Sequence, residues 1–346
     1  QSPAMARAQA PFSAAMALLA SLLLCSQASA FLSAPQLLKS AVAPHNLKSL
    51  SSRAPEAQAL HAPRGLRGTE VARSPALGLK MTEKGGRGLS FESEDGSNIA
   101  YDFYPAQRPT VVYLPALNQT RHGSKSFALQ TWAKRNNQGF LTADYYGCGR
   151  SDGEYKDGTI TRWMEDTIAL LDKVIKGPVI LVGAGVGGWV AMHIAVQKPD
   201  VVKGIVGIAA DPDFTTDIVL PELDDATKDK IAKDGMAEIM WGLNQYTLSQ
   251  KLIDDAEGML LLRGGPKSVP IKCPVRLIQG LGDEEIPPNR ALKISEVIET
   301  EDVIVTYAKY GGHILDDEED FRRMTTMVAE IAADYYDYDL TSPTSG

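Results

Sequence analysis

Cysteine is scarce in this chain: only Cys25, Cys148 and Cys273 occur among its 346 residues. Three isolated cysteines make neither a disulfide framework nor the paired spacing of a structural zinc site. No other set of histidines, cysteines and carboxylates in the sequence has metal-binding spacing. We therefore predict no metal and no cofactor, and a reducing compartment suits the two cysteines beyond residue 80.

Acidic residues are nearly missing from the first 80 positions. This segment has eight Lys and Arg residues against Glu56 and Glu70, a net charge of +6. Because the whole chain carries −8, residues 81–346 carry −14. Such an acidic body argues against nucleic acid or an anionic membrane as a partner. Its size is sufficient for the core of one α/β domain.

The start of the chain has an apolar stretch that is too short to span a bilayer. It extends from Ala14 to Cys25, the length of the apolar part of a signal peptide. The small residues Ala28-Ser29-Ala30 follow as a cleavage site. We therefore predict a signal peptide at residues 1–30 and no membrane span in the mature protein.

Residues 31–80 have the composition of a transit peptide, rich in Ala, Ser, Pro, Leu and Arg and poor in acids. With Phe31 at the junction, the two segments together resemble the two-part leader of algae with complex plastids. The resemblance predicts a plastid location. A secreted protein with a disordered spacer is the alternative.

Beyond the leader, short apolar runs alternate with helical patterns, an order typical of βαβ units around a parallel sheet. About sixty charged and mainly helical residues, between Ala210 and Pro274, interrupt this order. So long a connection has structure of its own, and we predict a small helical cap at about 212–268. The expected fold is α/β, with helices on both faces of a mostly parallel sheet over residues 81–338 and a flexible tail at 339–346.

One glycine-rich turn between a predicted strand and helix, Val179 to Ala195, permits two functional interpretations. The spacing Gly183-x-Gly185-x-x-Gly188 is that of a dinucleotide-binding loop. That loop belongs on the first strand of its domain, whereas at least two strands precede this one. It also needs an acid after the next strand, and Asp211 lies 23 residues beyond Gly188, slightly late. The dinucleotide interpretation stays as a less favoured alternative.

The second interpretation is the strand-turn-helix elbow of a serine hydrolase, whose chain order is nucleophile, acid, histidine. Asp283 follows the predicted strand at 274–279, where the acid belongs. His313 follows the last predicted strand, at 303–307, where the histidine belongs. Glu284 and Glu285 adjoin Asp283, and the spacing alone leaves all three open as the acid.

At these positions residues 85–336 resemble the α/β-hydrolases, in the branch with the single-domain acyl-protein thioesterase and acyl-glucuronide esterase and its bacterial relatives. The pieces that carry the resemblance are Leu114-Pro115, Gly123-Ser124-Lys125, Gly147-Cys-Gly-Arg-Ser-Asp-Gly153, Gly187-Gly188-Trp189, Cys273-Pro-Val-Arg-Leu-Ile-Gln-Gly280 and Asp283. The resemblance implies an α/β-hydrolase fold and a carboxylic ester or thioester hydrolase of the serine type, with a small acyl or aromatic ligand. It also implies an oxyanion hole made by the amides of Leu117 and Val186.

The nucleophile of that family is missing here. The family has Gly-Ser-Ser-x-Gly-Gly-Trp at the elbow, whereas this chain has Gly183-Ala184-Gly185-Val186-Gly187-Gly188-Trp189. Glycine adopts the strained turn without a Cβ clash, so the fold survives while attack from residue 185 is lost. The expected function is a hydrolase with impaired or altered catalysis, in which a water is activated by His313 and Asp283. The alternative is a non-catalytic protein that binds a small ligand. Ser and Gly codons can differ by one base, so sequencing the transcript checks position 185 itself.

Other polar residues fit structural roles better than catalysis. Cys148 and Ser151 lie in a Gly-rich loop and are interpreted as turn residues. His122 is expected in an exposed loop, and His193 inside a helix as a packed side chain. The acidic run Asp316–Asp320 is typical of a solvated helix start rather than a metal site.

Overall fold

The computed structural model describes residues 85–341, with side chains to residue 336. The predicted signal peptide and the predicted transit-peptide segment lie outside the described residues. The last helix continues to Thr341, and the rest of the predicted tail lies outside them too.

The described chain contains ten strands, and helices connect most of them. The strands are β1 Gly86–Glu92, β2 Asn98–Tyr104, β3 Gln107–Leu114, β4 Gln138–Ala143, β5 Val179–Ala184, β6 Val202–Ile208, β7 Met236–Trp241, β8 Asn244–Ser249, β9 Val275–Gly280 and β10 Val303–Ala308. The α-helices are α1 Ser124–Arg135, α2 Ile160–Leu170, α3 Val186–Gln197, α4 Leu220–Glu222, α5 Asp225–Asp234, α6 Gln250–Gly258, α7 Arg290–Val297 and α8 Glu318–Thr341. A π-helical turn, Leu171–Ile175, extends α2, and a second, Thr215–Val219, precedes α4.

Eight strands form one sheet in the order β1-β2-β4-β3-β5-β6-β9-β10. Strands β4, β3, β5, β6, β9 and β10 are parallel, whereas β1 pairs with β2 and β2 with β4 in the antiparallel sense. The predicted α/β fold with a mostly parallel sheet is therefore confirmed. Strand β5, which leads into the glycine turn, is central and fully buried.

Two hydrophobic layers cover the two faces of the sheet, because successive side chains of a strand point to opposite faces. Val112 and Leu181 pack with α2 and α3 on one face. Val111 and Ile180 pack with α1 and α8 on the other. The central strands are buried on both sides, which explains why they read as continuous apolar runs in the sequence.

The segment between β6 and β9 forms the cap. It contains α4, α5 and α6, as its helical pattern predicts, and also a β-hairpin of β7 and β8 that the sequence analysis does not anticipate. Side-chain caps define its helix starts: Asp224 accepts a hydrogen bond from the Thr227 amide, and Ser249 accepts one from the Leu252 amide. In the part of the chain that the structure describes, no helix combines the length and hydrophobicity needed to cross a membrane.

Candidate active site

The turn between β5 and α3 has the geometry of a nucleophile elbow. Gly185 has φ 51° and ψ −122°, a combination that residues other than glycine adopt only under strain. Its amide donates to the carbonyl of Ile208 at 3.0 Å, and its carbonyl accepts from the amide of Gly188 at 2.9 Å. These bonds fix residue 185 at the end of the central strand, directly before the first turn of α3.

The neighbouring glycines are explained by close packing. A Cβ atom at Gly183 would overlap the backbone of Gly187, and one at Gly187 would overlap the carbonyl of Leu114. A Cβ at Gly188 would collide with Ala210. Each of these glycines therefore lets α3 approach the sheet. Position 185 is less crowded, because an ideal Cβ there would lie 3.3 Å from its nearest neighbour, the Cβ of Ala116.

Asp283 and His313 meet beside this turn. Asp283 lies in the loop after β9 and His313 in the loop after β10, and because these strands are parallel neighbours their carboxyl ends are adjacent. The Nδ1 atom of His313 lies 3.0 Å from Oδ2 of Asp283. Both side chains are buried, with 11% and 0% of their surface exposed. The structure thus brings together two of the residues that the sequence order selects.

Asp283 is held as a carboxylate by a surrounding set of donors. Its Oδ1 accepts from the amides of Glu285 (2.9 Å) and Ile286 (2.8 Å), and its Oδ2 accepts from Nε2 of Gln279 (2.8 Å). Burial raises the pKa of Asp283, but the hydrogen bond and charge of His313 and the two amides outweigh it and leave the pKa below its usual value. Asp283 is therefore suited to orient His313 while remaining ionised.

His313 is surrounded by negative charge. Burial lowers its pKa, but the hydrogen bond to Asp283 and the charges of Asp283, Asp211 and Glu285 outweigh burial and raise the pKa above its usual value. These charges favour the imidazolium form more than in a free histidine. Such a ring can donate a proton to a leaving group and, once neutral, accept one from water.

Glu285 is the second carboxylate at the ring. Its Oε2 lies 3.6 Å from Nε2 of His313, whereas Asp283 contacts Nδ1. The cap hairpin holds Glu285: the hydroxyl of Tyr246 and the amide of Asn244 donate to its carboxylate, and the indole of Trp241 donates to its carbonyl at 3.0 Å. Glu284 is exposed. These contacts give the three consecutive acids different positions, and they identify Asp283 as the acid that pairs with Nδ1 of His313.

The loop after β3 lies against the elbow and carries Leu117. A buried ion pair network anchors this loop. The Arg121 guanidinium, 1% exposed, contacts Asp144 and lies 3.3 Å from Asp102, and the Arg121 amide donates to Asp144 at 2.7 Å. Val186 is the first residue of α3, where an amide has no acceptor within its helix. This arrangement is compatible with the oxyanion donors expected at Leu117 and Val186.

A cavity opens over these groups, between the sheet and the cap. Gly185, Asp211, Glu285 and His313 line it, and Leu117 contributes to its wall. The remaining lining is largely apolar and comes from both the sheet and the cap: Ile208, Phe214, Val219, Ile239, Leu248 and Ile286. The cavity can therefore accept an apolar acyl or aromatic group beside the dyad.

Asp211 is the residue at this site that the sequence analysis misses, because it considers Asp211 only as a ribose-binding acid. It follows β6 and is 6% exposed. An ideal Cβ atom at position 185 would lie 3.5 Å from Oδ2 of Asp211. The sequence signal for this residue is an acid shortly after β6, the strand that pairs with β5.

The other candidates lie outside this cavity. His122 is largely exposed and lies 3.1 Å from Asp102, and His193 packs with its Nε2 atom 2.8 Å from the Met259 carbonyl. Ser151 donates to the Asp144 carbonyl at 2.7 Å as part of a turn. Burial and the charge of Asp144 raise the pKa of the Cys148 thiol to about 12, which makes it a poor nucleophile.

The acidic run before α8 contributes to the start of that helix. Asp317 accepts a hydrogen bond from the amide of Asp320 at 2.8 Å, which satisfies one of the free donors at a helix start. Among the described residues, no three histidines, cysteines or carboxylates form a group that could hold a metal ion.

Comparison with known proteins agrees with this geometry. Residues 111–258 match the profile of the alpha/beta hydrolase family. The mouse protein named palmitoyl-protein thioesterase ABHD10, mitochondrial, is 30% identical over 239 residues, which cover 68% of this chain and 78% of the relative. The bovine protein of the same name is 28% identical over 247 residues, 70% of this chain and 79% of its own length.

Solved structures give the same result. The mouse alpha/beta hydrolase domain-containing protein 10 superposes with a TM-score of 0.64 at 27% identity, over 71% of this chain and 98% of the other. A protein from Agrobacterium vitis S4 also gives 0.64, at 30% identity over 70% and 97% of the two chains. By its fold, the order of its site residues and these relatives, the chain belongs to the alpha/beta hydrolase family.

Proposed function

We propose that this protein hydrolyses small acyl esters or thioesters without a serine acyl-enzyme at position 185. One observation carries the proposal. The His313–Asp283 pair is intact, buried and placed on an apolar cavity, although the elbow residue that it would serve has no side chain. The thioesterase name of the mouse relative supports an acyl thioester as substrate.

The chemistry assigned to the site is proton transfer by His313. Its Nδ1 is bound to Asp283, so Nε2 is the nitrogen directed to the substrate side, where Glu285 also lies. In direct hydrolysis, the neutral ring takes a proton from the water as its oxygen bonds to the carbonyl carbon, and the imidazolium then gives that proton to the leaving group as the bond to it breaks. The amides of Leu117 and Val186 are proposed to stabilise the negative oxygen that forms on the carbonyl.

Gly185 favours one other function, that of a ligand-binding protein that has lost catalysis. The fold and cavity persist without the nucleophile, and family enzymes stripped of one triad member keep only about 10³–10⁴-fold catalysis over water. Under this alternative the cavity binds an acyl or aromatic ligand and releases it unchanged.

Thiol release from a series of acyl thioesters distinguishes the two functions. We expect wild-type protein to cleave them and His313→Ala to be slower by at least about 100-fold, since general acid–base catalysis contributes that much. His122→Ala is the matched control, because His122 lies on an exposed loop outside the cavity. Equal rates for wild type and His313→Ala would overturn the role of His313, and no cleavage by either protein would leave the binding protein as the function.

A further inference from the structure

Asp211 lies against the elbow, next to the space that a side chain at position 185 would occupy. The Asp211 amide is within 3.4 Å of the Gly185 carbonyl, so the two backbones are in contact. Its Oδ2 atom would be 3.5 Å from a Cβ atom at position 185. A serine hydroxyl on that Cβ would project into the same part of the cavity, and Asp211, Gly185 and His313 all line it. A carboxylate oxygen therefore lies beside the position from which a serine would attack.

The carboxylate of Asp211 is not used by the fold. Its Oδ1 is buried and has no hydrogen-bond partner among the described residues. Asp213, two residues later, is also buried, but its two oxygens accept from the amides of Leu261 and Leu262 at 2.8 Å each. A buried, unsatisfied carboxylate costs stability. Such a cost at a cavity wall beside a buried histidine indicates function rather than packing.

The ionisation of Asp211 agrees with this position. Burial, together with the negative charge of Asp283, raises its pKa to about 7, and the charges of His313 and Arg290 oppose the increase. Near neutral pH the carboxyl group therefore exchanges between its protonated and ionised forms. An ionised Asp211 and a protonated His313 are the pair that nucleophilic attack with leaving-group protonation requires.

Resting on the proposed hydrolase function, we propose that Asp211 is the nucleophile that replaces the missing serine, and that the substrates are thioesters. Glu285 is the other carboxylate near His313, but Tyr246 and Asn244 already donate to both of its oxygens. The Asp211 carboxylate has one oxygen without a partner, Oδ1, and its other oxygen, Oδ2, lies next to the elbow.

In the first step, Oδ2 of Asp211 forms a bond to the thioester carbonyl carbon, and the carbon–sulfur bond breaks. The electron pair leaves on sulfur, which takes the proton of the His313 imidazolium and departs as the thiol. The product on the protein is a mixed anhydride of Asp211 and the acyl group.

In the second step, neutral His313 takes one proton from a water molecule, whose oxygen attacks the anhydride. The bond to the Asp211 oxygen breaks and its electron pair restores the carboxylate. The acid product leaves with the second water proton, and His313 is again an imidazolium. The sum of both steps is thioester plus water to acid plus thiol, with no other reactant.

This chemistry discriminates between thioesters and oxygen esters. A thiolate, whose thiol has a pKa of about 8.5, is a far better leaving group than an alkoxide, so a carboxylate can displace it when His313 protonates the departing sulfur. The carboxylate does not readily displace an alkoxide, which is a far stronger base than a carboxylate. A serine nucleophile has no such restriction, because an alkoxide is of similar basicity to the group it displaces. We therefore expect cleavage of an acyl thioester and little cleavage of the matching ethyl ester.

The test is a single turnover of wild-type protein with an excess of enzyme over acyl thioester, stopped in acid and digested for mass spectrometry. We expect the acyl group on the peptide that contains Asp211. Asp211→Asn should lack the adduct and lose thioester cleavage by at least about 100-fold, while it still binds the unreactive thioether analogue. Glu284→Gln, the matched control at an exposed carboxylate outside the cavity, should keep the adduct on Asp211.

The outcomes separate this inference from the proposed function. Wild-type cleavage that persists at the same rate in Asp211→Asn, with no adduct on residue 211, overturns the nucleophile and leaves the hydrolase function standing. Absence of thioester cleavage in wild-type protein overturns the nucleophile, and absence of ester cleavage as well overturns the proposed function. Because the adduct is sought on the wild-type chain, the result does not depend on how well the variant folds.

Discussion

The Nε2 atom of His313 lies 3.6 Å from Oε2 of Glu285. This nitrogen faces away from Asp283, and in a serine hydrolase its counterpart serves the nucleophile. In the present chain it therefore has a carboxylate beside it instead of a serine hydroxyl. The three acids around the ring, Asp283, Asp211 and Glu285, all favour its protonated form.

Replacing one of these acids changes the titration of His313. In Glu285→Gln, a negative charge near Nε2 is removed, so the pKa of His313 should fall relative to the wild-type value. The measurement is an NMR titration of the ring signals. Glu284→Gln is the control, because Glu284 is exposed and makes no contact with the ring. A wild-type pKa in Glu285→Gln, or a larger decrease in Glu284→Gln, would show that Glu285 does not act on the ring.

Gly185→Ser returns the missing hydroxyl to a strained position. At φ 51° and ψ −122° the serine should reduce the free energy of unfolding by about 1–3 kcal/mol. Its Cβ would lie 3.3 Å from Ala116, a contact that a small shift relieves. With His313 and Asp283 in place, we expect the variant to gain labelling by a fluorophosphonate probe.

Gly185→Ala is the matched control for that experiment, because it introduces the same backbone strain without a hydroxyl. It should be destabilised to a similar extent in chemical unfolding and should not be labelled. If Gly185→Ser also fails to label while it remains folded, the dyad and oxyanion donors are not arranged for acyl transfer to residue 185.

Asp211 makes stability depend on pH. An acid whose pKa is about 7 when folded and about 3.9 when unfolded binds its proton more tightly in the folded state. Stability is then lost as pH rises from about 4 to about 7, by up to about 4 kcal/mol. We expect Asp211→Asn to exceed wild type in free energy of unfolding at pH 8 and to converge with it at about pH 4 or below.

Urea unfolding at the two pH values measures this difference. Asp200→Asn is the control, since Asp200 is exposed, and it should change stability little at either pH. An Asp211→Asn variant that is less stable than wild type at pH 8 would mean that the ionised carboxylate has a structural partner.

Residues 1–80 give a prediction about the location of the protein in the cell. We propose that residues 1–80 direct the protein to a plastid, and that Phe31 is read at the junction of the two segments. In an alga with a complex plastid, a fluorescent protein fused to residues 1–80 should enter the organelle. Phe31→Ala should leave the fusion outside it, whereas Leu32→Ala should not. Equal import of all three fusions would contradict the role of Phe31.

Much of the fold is predictable because buried parallel strands leave continuous apolar runs in the sequence. Strands β3, β5 and β9 and the order of Gly185, Asp283 and His313 follow from such runs and from the residues that come directly after them. The cap hairpin of β7 and β8 is not predictable in this way, because its strands are only partly buried and leave no continuous apolar run.

The contacts within the site are less predictable than its members. Asp283, Glu284 and Glu285 are consecutive, and only the turn of the loop directs one to Nδ1, one to Nε2 and one to solvent. The position of Asp211 beside Gly185 likewise depends on the parallel pairing of β5 with β6, which places the ends of the two strands side by side. Spacing along the chain does not contain that information.

The central claim is that this chain is a catalyst although residue 185 has no side chain. The most direct measurement is the number of acyl thioester molecules cleaved by each molecule of purified wild-type protein, counted as free thiol over time. We expect each wild-type protein molecule to cleave many thioester molecules, and His313→Ala to lose this turnover. Release of no thiol, or of no more than one thiol per protein molecule, would contradict it.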